Sequence, residues 1–520
     1  MFALALLVLV ASQVSIDPGV GHVHFNVTTR NAEAQRYFDQ GMAYLYGFNH
    51  EAAIRSFQHA GDLDPNLAMA WWGVALALGP NINLDVDPDR EKQAYDAVQT
   101  ALTKRASPKE HEVIAVLARR YSNDPNADLK KLAADYSRAM GELSKKHPDD
   151  LDLATLYAES MMDLRPWKFW SADGKAAPGT EEIVSVLESV LKRDPNHLGA
   201  NHYYIHAVEA SQHPERAVKS ADRLRTLAPS SGHLVHMPAH IYQRVGNYSE
   251  AAKANETAAA VDRQFIAKNG SGGIYPLMYY NHNLQFGAAS YAMEGRFADA
   301  KRLGDEFGAN AAAAAKEMPM VESAAATPLL VLVRFGKWTN VLKAPAANAG
   351  PMSAVFSHFA RAVAFAQVGD IAAAEREREE SENARKALGD DPGIFQNSPK
   401  AIAKIAEGII DGRIAEAKGD RAKALRAYMR AVEAQDALDY DEPPDWFYPV
   451  RETLGAALIR AGRYAEAEKV FREDLERNPH NPRSLFGLAE ALRKQKKSAA
   501  AAMAEFKRNW HGASLRIEDF

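Results

Sequence analysis

The sequence predicts an all-α, right-handed superhelical solenoid, and three observations predict it. At 520 residues the chain is longer than an ordinary domain, yet no Gly/Ser- or Pro-rich linker divides it. Nearly half of it (47%) is hydrophobic and the charged quarter is spread along its length, as stacked amphipathic helices require. Glycines recur at one register: Gly246, Gly295, Gly419 and Gly462 are each followed five positions on by Ala. Such a glycine takes the left-handed conformation that closes one helix before its partner starts.

The unit itself is readable from Ala34 to Leu67, where Tyr37, Gly41, Tyr44, Ala53, Phe57, Ala60 and Pro65 hold the spacing of a tetratricopeptide repeat (TPR). Small residues mark the close crossing of the two helices, aromatic residues fill the space between them, and Asp64-Pro65 ends the second. Comparable stops at Asp194-Pro195, Ala228-Pro229 and Asn478-Pro479 place repeat starts near 34, 68, 151, 198, 232, 281, 322, 355, 405, 448 and 482. Degenerate helices between Asp87 and Tyr121 and from Ala127 to Lys146 bridge the second and third units. Only His22 to Thr29 reads as extended, with His22 and His24 alternating onto one side. The expected organisation is a signal peptide over 1–20, a histidine-bearing TPR solenoid over 21–310, and further TPR repeats over 311–520.

Composition narrows the function. The formal charge is −5 with no basic stripe, so nucleic acid is not an expected partner. The apolar opening MFALALLVLVASQV is too short to span a bilayer and ends at small residues, so the expectation is export to the periplasm or medium, with no membrane span in the mature chain. It lacks a basic start, and a buried N-terminal helix is the other reading. There is no cysteine, so any metal must be held by His and carboxylates.

The histidines carry the functional reading. His202 and His206 fall at the fifth and ninth positions of one repeat, and His236 and His240 at the same positions of the next, one repeat length of about 34 residues on. Each pair is spaced i, i+4, which puts two imidazoles on one helix face, and these register positions face the concave side of a TPR array. The expectation is one four-imidazole site for a transition metal (Zn, Cu, Fe or Ni). His233 and His282, at second positions, join Tyr203, Asn201 and Trp167 as flanking ligand contacts. Glu209 and Glu159 are the candidate acid/base residues, Glu209 also being able to orient an imidazole. Pro238 should sit in the first turn of a helix starting near Met237, leaving His236 at the cap.

Between 163 and 180 the helical pattern is interrupted by an insertion bearing Trp167, Phe169 and Trp170, readable as a lid over the concave face or as a plug in an irregular repeat. Two functions compete. One is a metal-dependent protein, hydrolytic or oxidative, without the His-Glu-x-x-His protease motif. The other is a scaffold that holds a peptide, a protein or a small molecule in its groove without metal. A non-covalent haem held by two imidazoles is a minor third.

With these motifs the chain resembles a family of bacterial, mostly exported TPR proteins marked by H-Y-x-I-H-A followed by H-x-x-H-M-P-x-H-I. Here they are the runs starting at His202 and at His233. The resemblance extends to Val23-His-Phe, Ala70-Trp-Trp-Gly73, Arg165-Pro-Trp and Tyr279-Tyr-Asn-His-Asn283, with Asn281 where the family commonly has Pro. It covers about residues 20–300 and implies the histidine site rather than a particular reaction.

Overall fold

A computed structural model describes residues 14–270, 273, 275–316, 318–390 and 396–520. The chain is an all-α TPR-type solenoid. Among the described residues there is no strand, only three isolated bridges. Residues 1–13 of the expected signal segment lie outside the described residues, while 14–20 are described and lie against the first repeat, where the Tyr37 hydroxyl donates to the Val14 carbonyl (3.0 Å) and the Asp17 amide to Gln40 (2.7 Å). Buried clusters centre on the N-terminal repeats up to Phe286 and on the C-terminal repeats from Ala326 onward, and a third, from Ala252 to Val331, lies between them in sequence.

Among the described residues eleven antiparallel helix pairs follow the repeat starts. The first is Ala32–Tyr46 with His50–Leu63, and the last is Pro482–Lys494 with Ala500–Asn509. The glycine rule holds physically: Gly246, Gly295, Gly419 and Gly462 have φ between 77° and 87°. The alanines five residues on are buried at the helix crossings. Space is as tight as the motif implies, since a Cβ on Gly41 would lie 2.4 Å from the Phe57 ring. Of the stretch read as a degenerate bridge, Pro88–Leu102 packs on Ala68–Leu78 as the second helix of that pair, and Pro108–Leu117 and Leu129–Lys146 form the bridge, the first of them started by the reciprocal cap of Ser107 and Glu110.

The extended segment predicted over 22–29 is extended but pairs with side chains instead of a strand. Gln35 donates to the Phe25 carbonyl (2.8 Å) and accepts from the Val27 amide (3.1 Å). Phe25 and Val27 turn inward, and His22 and His24 are exposed on the other side, as the alternation required.

The superhelix turns far enough for late repeats to touch middle ones. Tyr248 donates its hydroxyl to the Pro479 carbonyl (3.0 Å), the His511 amide donates to the Glu294 carbonyl (2.8 Å), and Arg244 lies over the Tyr440 ring. A Cβ on Gly246 would fall 2.0 Å from the Pro479 carbonyl oxygen, so this contact depends on glycine. The concave side is therefore partly closed into a chamber.

Candidate metal centre

Three consecutive repeats supply the histidines. Leu198–Val208 carries His202 and His206, and it packs close to the first repeat because Gly199 faces the Tyr46 ring, where a Cβ would meet it at 2.4 Å. That proximity brings the Tyr46 carbonyl to His202 Nδ1 (2.6 Å). The next helix is broken: Pro238 has no N–H to give to the carbonyl four residues back, so Gly232–His236 and Pro238–Arg244 are separate segments. Pro238 stands at the first position as expected. His236, however, ends the preceding helical turn instead of capping the second helix, because Met237 keeps helical angles (φ −49°, ψ −35°). His236 and His240 thus stay on one face. His282 comes from Asn281–Met293.

The structure brings together six imidazoles, not four. They form two groups whose nitrogens lie within 4.8 Å of one another: His202, His206 and His233, and His236, His240 and His282. His233 and His282, expected beside the site, are members of it. Five of the six are at most 2% exposed, and His282 is half-buried. His202 Nε2 is 3.1 Å from His233 Nε2. His236 Nε2 is 2.7 Å from His240 Nε2 and 3.1 Å from His282 Nε2.

The outer nitrogens fix the inner ones. An Nδ1 facing a carbonyl or carboxylate oxygen carries the proton, so Nε2 of the neutral ring is a lone pair. His202 is so placed by Tyr46, and His206 by Glu209 Oε1 (2.7 Å). His236 is placed by Asn255 Oδ1 (2.6 Å), whose amide nitrogen donates to the Ala251 carbonyl and so sets its orientation. His240 is placed by the second oxygen of Glu209. In the second group two lone pairs, on His236 and His240, then face each other, which is repulsive unless a proton or a cation lies between them.

Electrostatics agree with neutral rings at most positions. Burial drives His202, His233 and His236 well below the ordinary histidine pKa and His282 to about 3. Burial also lowers His206. His240 differs: burial opposes its charge, but the Glu209 carboxylate outweighs this and raises it. Burial alone would raise Glu209, yet the two imidazoles hold it at about 2, so it stays ionised.

Several sequence-level roles are corrected. Glu209 has both oxygens on imidazole nitrogens and acts as a clamp between the two groups, not as a free base. Glu159 lies with Asp163 and Arg120 in a separate buried cluster, where Arg120 donates to Asp163 (2.6 Å), and burial raises the Glu159 carboxyl. Asn201 donates to the Pro195 and His197 carbonyls at its helix start and does not reach the cavity. Tyr203 is buried behind His202, against Tyr46 and Phe48. Trp167 does reach the site, its ring edge-on to His206 at 5.5 Å. Trp170 plugs: its indole donates to the Ala207 carbonyl (2.7 Å) at the end of the histidine helix.

Two contributors were missed in sequence. Phe48 lies against His202, His206 and His233 at 4.5, 5.9 and 5.5 Å. Phe48 and Trp167 have φ of 56° and 63°, left-handed values costly for aromatic residues, and both sit on the first histidine group. Glu442, from the segment before Val450–Arg460, joins His206, His233, His240 and His282 in lining a cavity of about 460 Å³. No local periodicity signals that contact.

No family model matches the chain, and no curated protein matches it. Solved structures do. A chain of the APC/C hetero-tetramer Cut9-Hcn1 is similar at 15% identity over 92% of this chain and 76% of that one, with a TM-score of 0.32. Human IFIT1, as a dimer with PPP-AAAA, is similar at 12% identity (92% and 91% covered, TM-score 0.33). Yeast Tom70 is similar at 11% (92% and 93%, TM-score 0.31).

Proposed function

We propose that this chain is a TPR-type metalloprotein that binds two transition-metal ions, one in each histidine triad, and presents them to a small molecule in the adjoining cavity. The observation that carries this reading is the set of four Nε2 lone pairs, two in each triad, on His202, His206, His236 and His240, turned inward by protein acceptors at Nδ1. Such outer hydrogen bonds fix tautomer and ring orientation in histidine-metal sites. Three neutral imidazoles per ion leave a coordination position open, as in catalytic rather than structural centres. An all-imidazole donor set suits Zn, Cu, Fe or Ni. Tetrahedral binding at about 2.0–2.1 Å needs nitrogens about 3.3 Å apart, so the His236–His240 pair would open slightly on loading.

The cavity favours a small-molecule ligand over a folded partner or helical peptide, since its volume falls in the range of small-molecule sites. Trp167 is suited to be a lid, at the cavity wall and over His206. Export to the periplasm or medium is part of the proposal and rests on the opening apolar segment. No helix among the described residues is long and apolar enough to cross a membrane. N-terminal sequencing of protein from fractionated cells checks export, and an intact N-terminus on cytoplasmic protein contradicts it. Elemental analysis of tag-free protein tests the metal reading: about two ions per chain are expected. Absence of metal after exposure to micromolar Zn, Cu, Fe and Ni leaves the scaffold reading in its place.

A further inference from the structure

The chamber beside the histidines has an unusual charge balance. Its wall is largely apolar, with Leu277, Phe307, Leu330, Phe356, Ile402 and Phe447 on it. Its carboxylic acids are Glu322, Asp441, Glu442 and Asp445, and no Lys or Arg lines it among the described residues.

Three of the four acids are engaged by the protein. Glu322 accepts from the Met352 and Ser353 amides (2.6 and 2.7 Å) at the start of Pro351–Gln367. Asp445 accepts from Asn397 (2.8 Å), and Asp441 from the Glu442 amide (2.9 Å). Glu442 is different. One oxygen accepts from the Tyr440 hydroxyl, while Oε2 is buried without a partner among the described residues. Glu442 is 5% exposed. The nearby Arg244 does not line the cavity and donates instead to the Glu209 and Ser211 carbonyls (2.9 and 3.0 Å). Independently, His206 Nε2 is buried and unpartnered on the same cavity.

A buried carboxylate oxygen with no donor is costly unless a ligand supplies one. An anionic ligand would meet four acids and no Lys or Arg, and the one imidazole with a raised pKa, His240, is already paired with Glu209. A neutral ligand without N–H or O–H would leave Oε2 unsatisfied. We propose that the cavity binds a small primary amine on an apolar body, with the amine nitrogen donating to Glu442 Oε2. The aromatic and aliphatic wall takes the body. In metal-free protein the amine binds as the ammonium paired with the carboxylate. In loaded protein it binds as the free base, N–H on Glu442 and lone pair toward an open metal position; that last contact alone rests on the metal reading.

The test is calorimetric titration of the full chain, metal-stripped and metal-loaded, with three probes of like size: 2-phenylethylamine, 2-phenylethanol and 3-phenylpropionate. The amine is expected to bind at least tenfold more tightly than the carboxylate in both forms, with the alcohol between. Glu442→Gln should cost the amine tenfold or more, Glu442→Asp less, with metal content and helical circular dichroism unchanged. Equal or tighter binding of the carboxylate overturns the proposal, as does amine binding unaffected by Glu442→Gln. If Glu442→Gln does not fold, the order of the probes on the wild-type chain decides. Amine selectivity in a chain that takes up no metal would sustain this inference and reject the metal reading, and metal uptake without amine selectivity would do the reverse.

Discussion

The two histidine triads use the same chemistry in different states of closure. In the second, His236 Nε2 is within 3.1 Å of both His240 and His282, so the three rings already converge. In the first, His202 meets His233, but His206 Nε2 and His233 Nδ1 are buried without partners among the described residues, and two strained aromatics, Phe48 and Trp167, lie against the rings. One carboxylate, Glu209, ties both together. Each triad joins an i, i+4 pair to one imidazole of the next repeat, but the nitrogens of the second already converge on His236, whereas the first is held in shape by the strained Phe48 and Trp167 from outside the histidine helices. It should therefore be the easier to disturb.

The strongest test separates the triads. His206→Ala/His240→Ala removes one ligand from each, and metal content should fall from about two ions per chain to near zero. His202→Ala alone, or His282→Ala alone, should leave about one. His111→Ala, on an exposed position remote from the cluster, should leave two. Elemental analysis reads all four, and loss of both ions on either single replacement would show one cooperative site.

Phe48→Ala should cost on the order of 3 kcal/mol of stability, the large-to-small penalty less a little relieved backbone strain. It should empty the first triad before the second. Denaturant unfolding and metal content check the two effects, and a stability change within about 0.5 kcal/mol would contradict the packing role. Glu209→Gln leaves an amide where two imidazoles each need an acceptor, and it should weaken both ions by about 10–100-fold in a chelator competition. An effect confined to one ion would break the symmetry assigned to the clamp.

The smallest effect is that of pH. In the metal-free protein His202, His206, His233, His236 and His282 have lowered pKa values, so the unfolded chain binds more protons than the folded one below about 6.5. Stability from these groups is present above that value and is lost as pH falls through it. His240, raised, works the other way: its contribution is present below about 6.5 and fades as pH rises through its folded value. In metal-free protein the imidazole NMR resonances of these five rings should titrate below the unfolded-chain value of about 6.5, and that of His240 above it. Titration of the five at or above about 6.5 contradicts the burial of neutral rings. Metal should leave over the same range as protons compete for Nε2.

Much of this was legible in sequence because repeats are built from short-range contacts. Gly-x-x-x-x-Ala turns and Asp-Pro stops gave the repeat starts, and the offset between His202/His206 and His236/His240 marked one face. The count of six was not legible. His233 and His282 occupy second positions one turn away, and the spacing along the chain does not say that successive helices pack closely enough to bring their nitrogens to the other four. Glu442 and Tyr440 were beyond reach for another reason: the turn of the superhelix brings them to the site from about 200 residues away along the chain, and no periodicity encodes that return. Phe48 was hidden because a positive φ on an aromatic residue contradicts local preference and is imposed by its neighbours.

The measurement closest to the central claim is anomalous diffraction from crystals of the metal-loaded, tag-free chain. Two peaks are expected, one about 2.0–2.1 Å from an Nε2 of His202, His206 and His233, the other at the same distance from His236, His240 and His282. A single peak shared among all six rings, or no peak among them in protein supplied with metal, would contradict it.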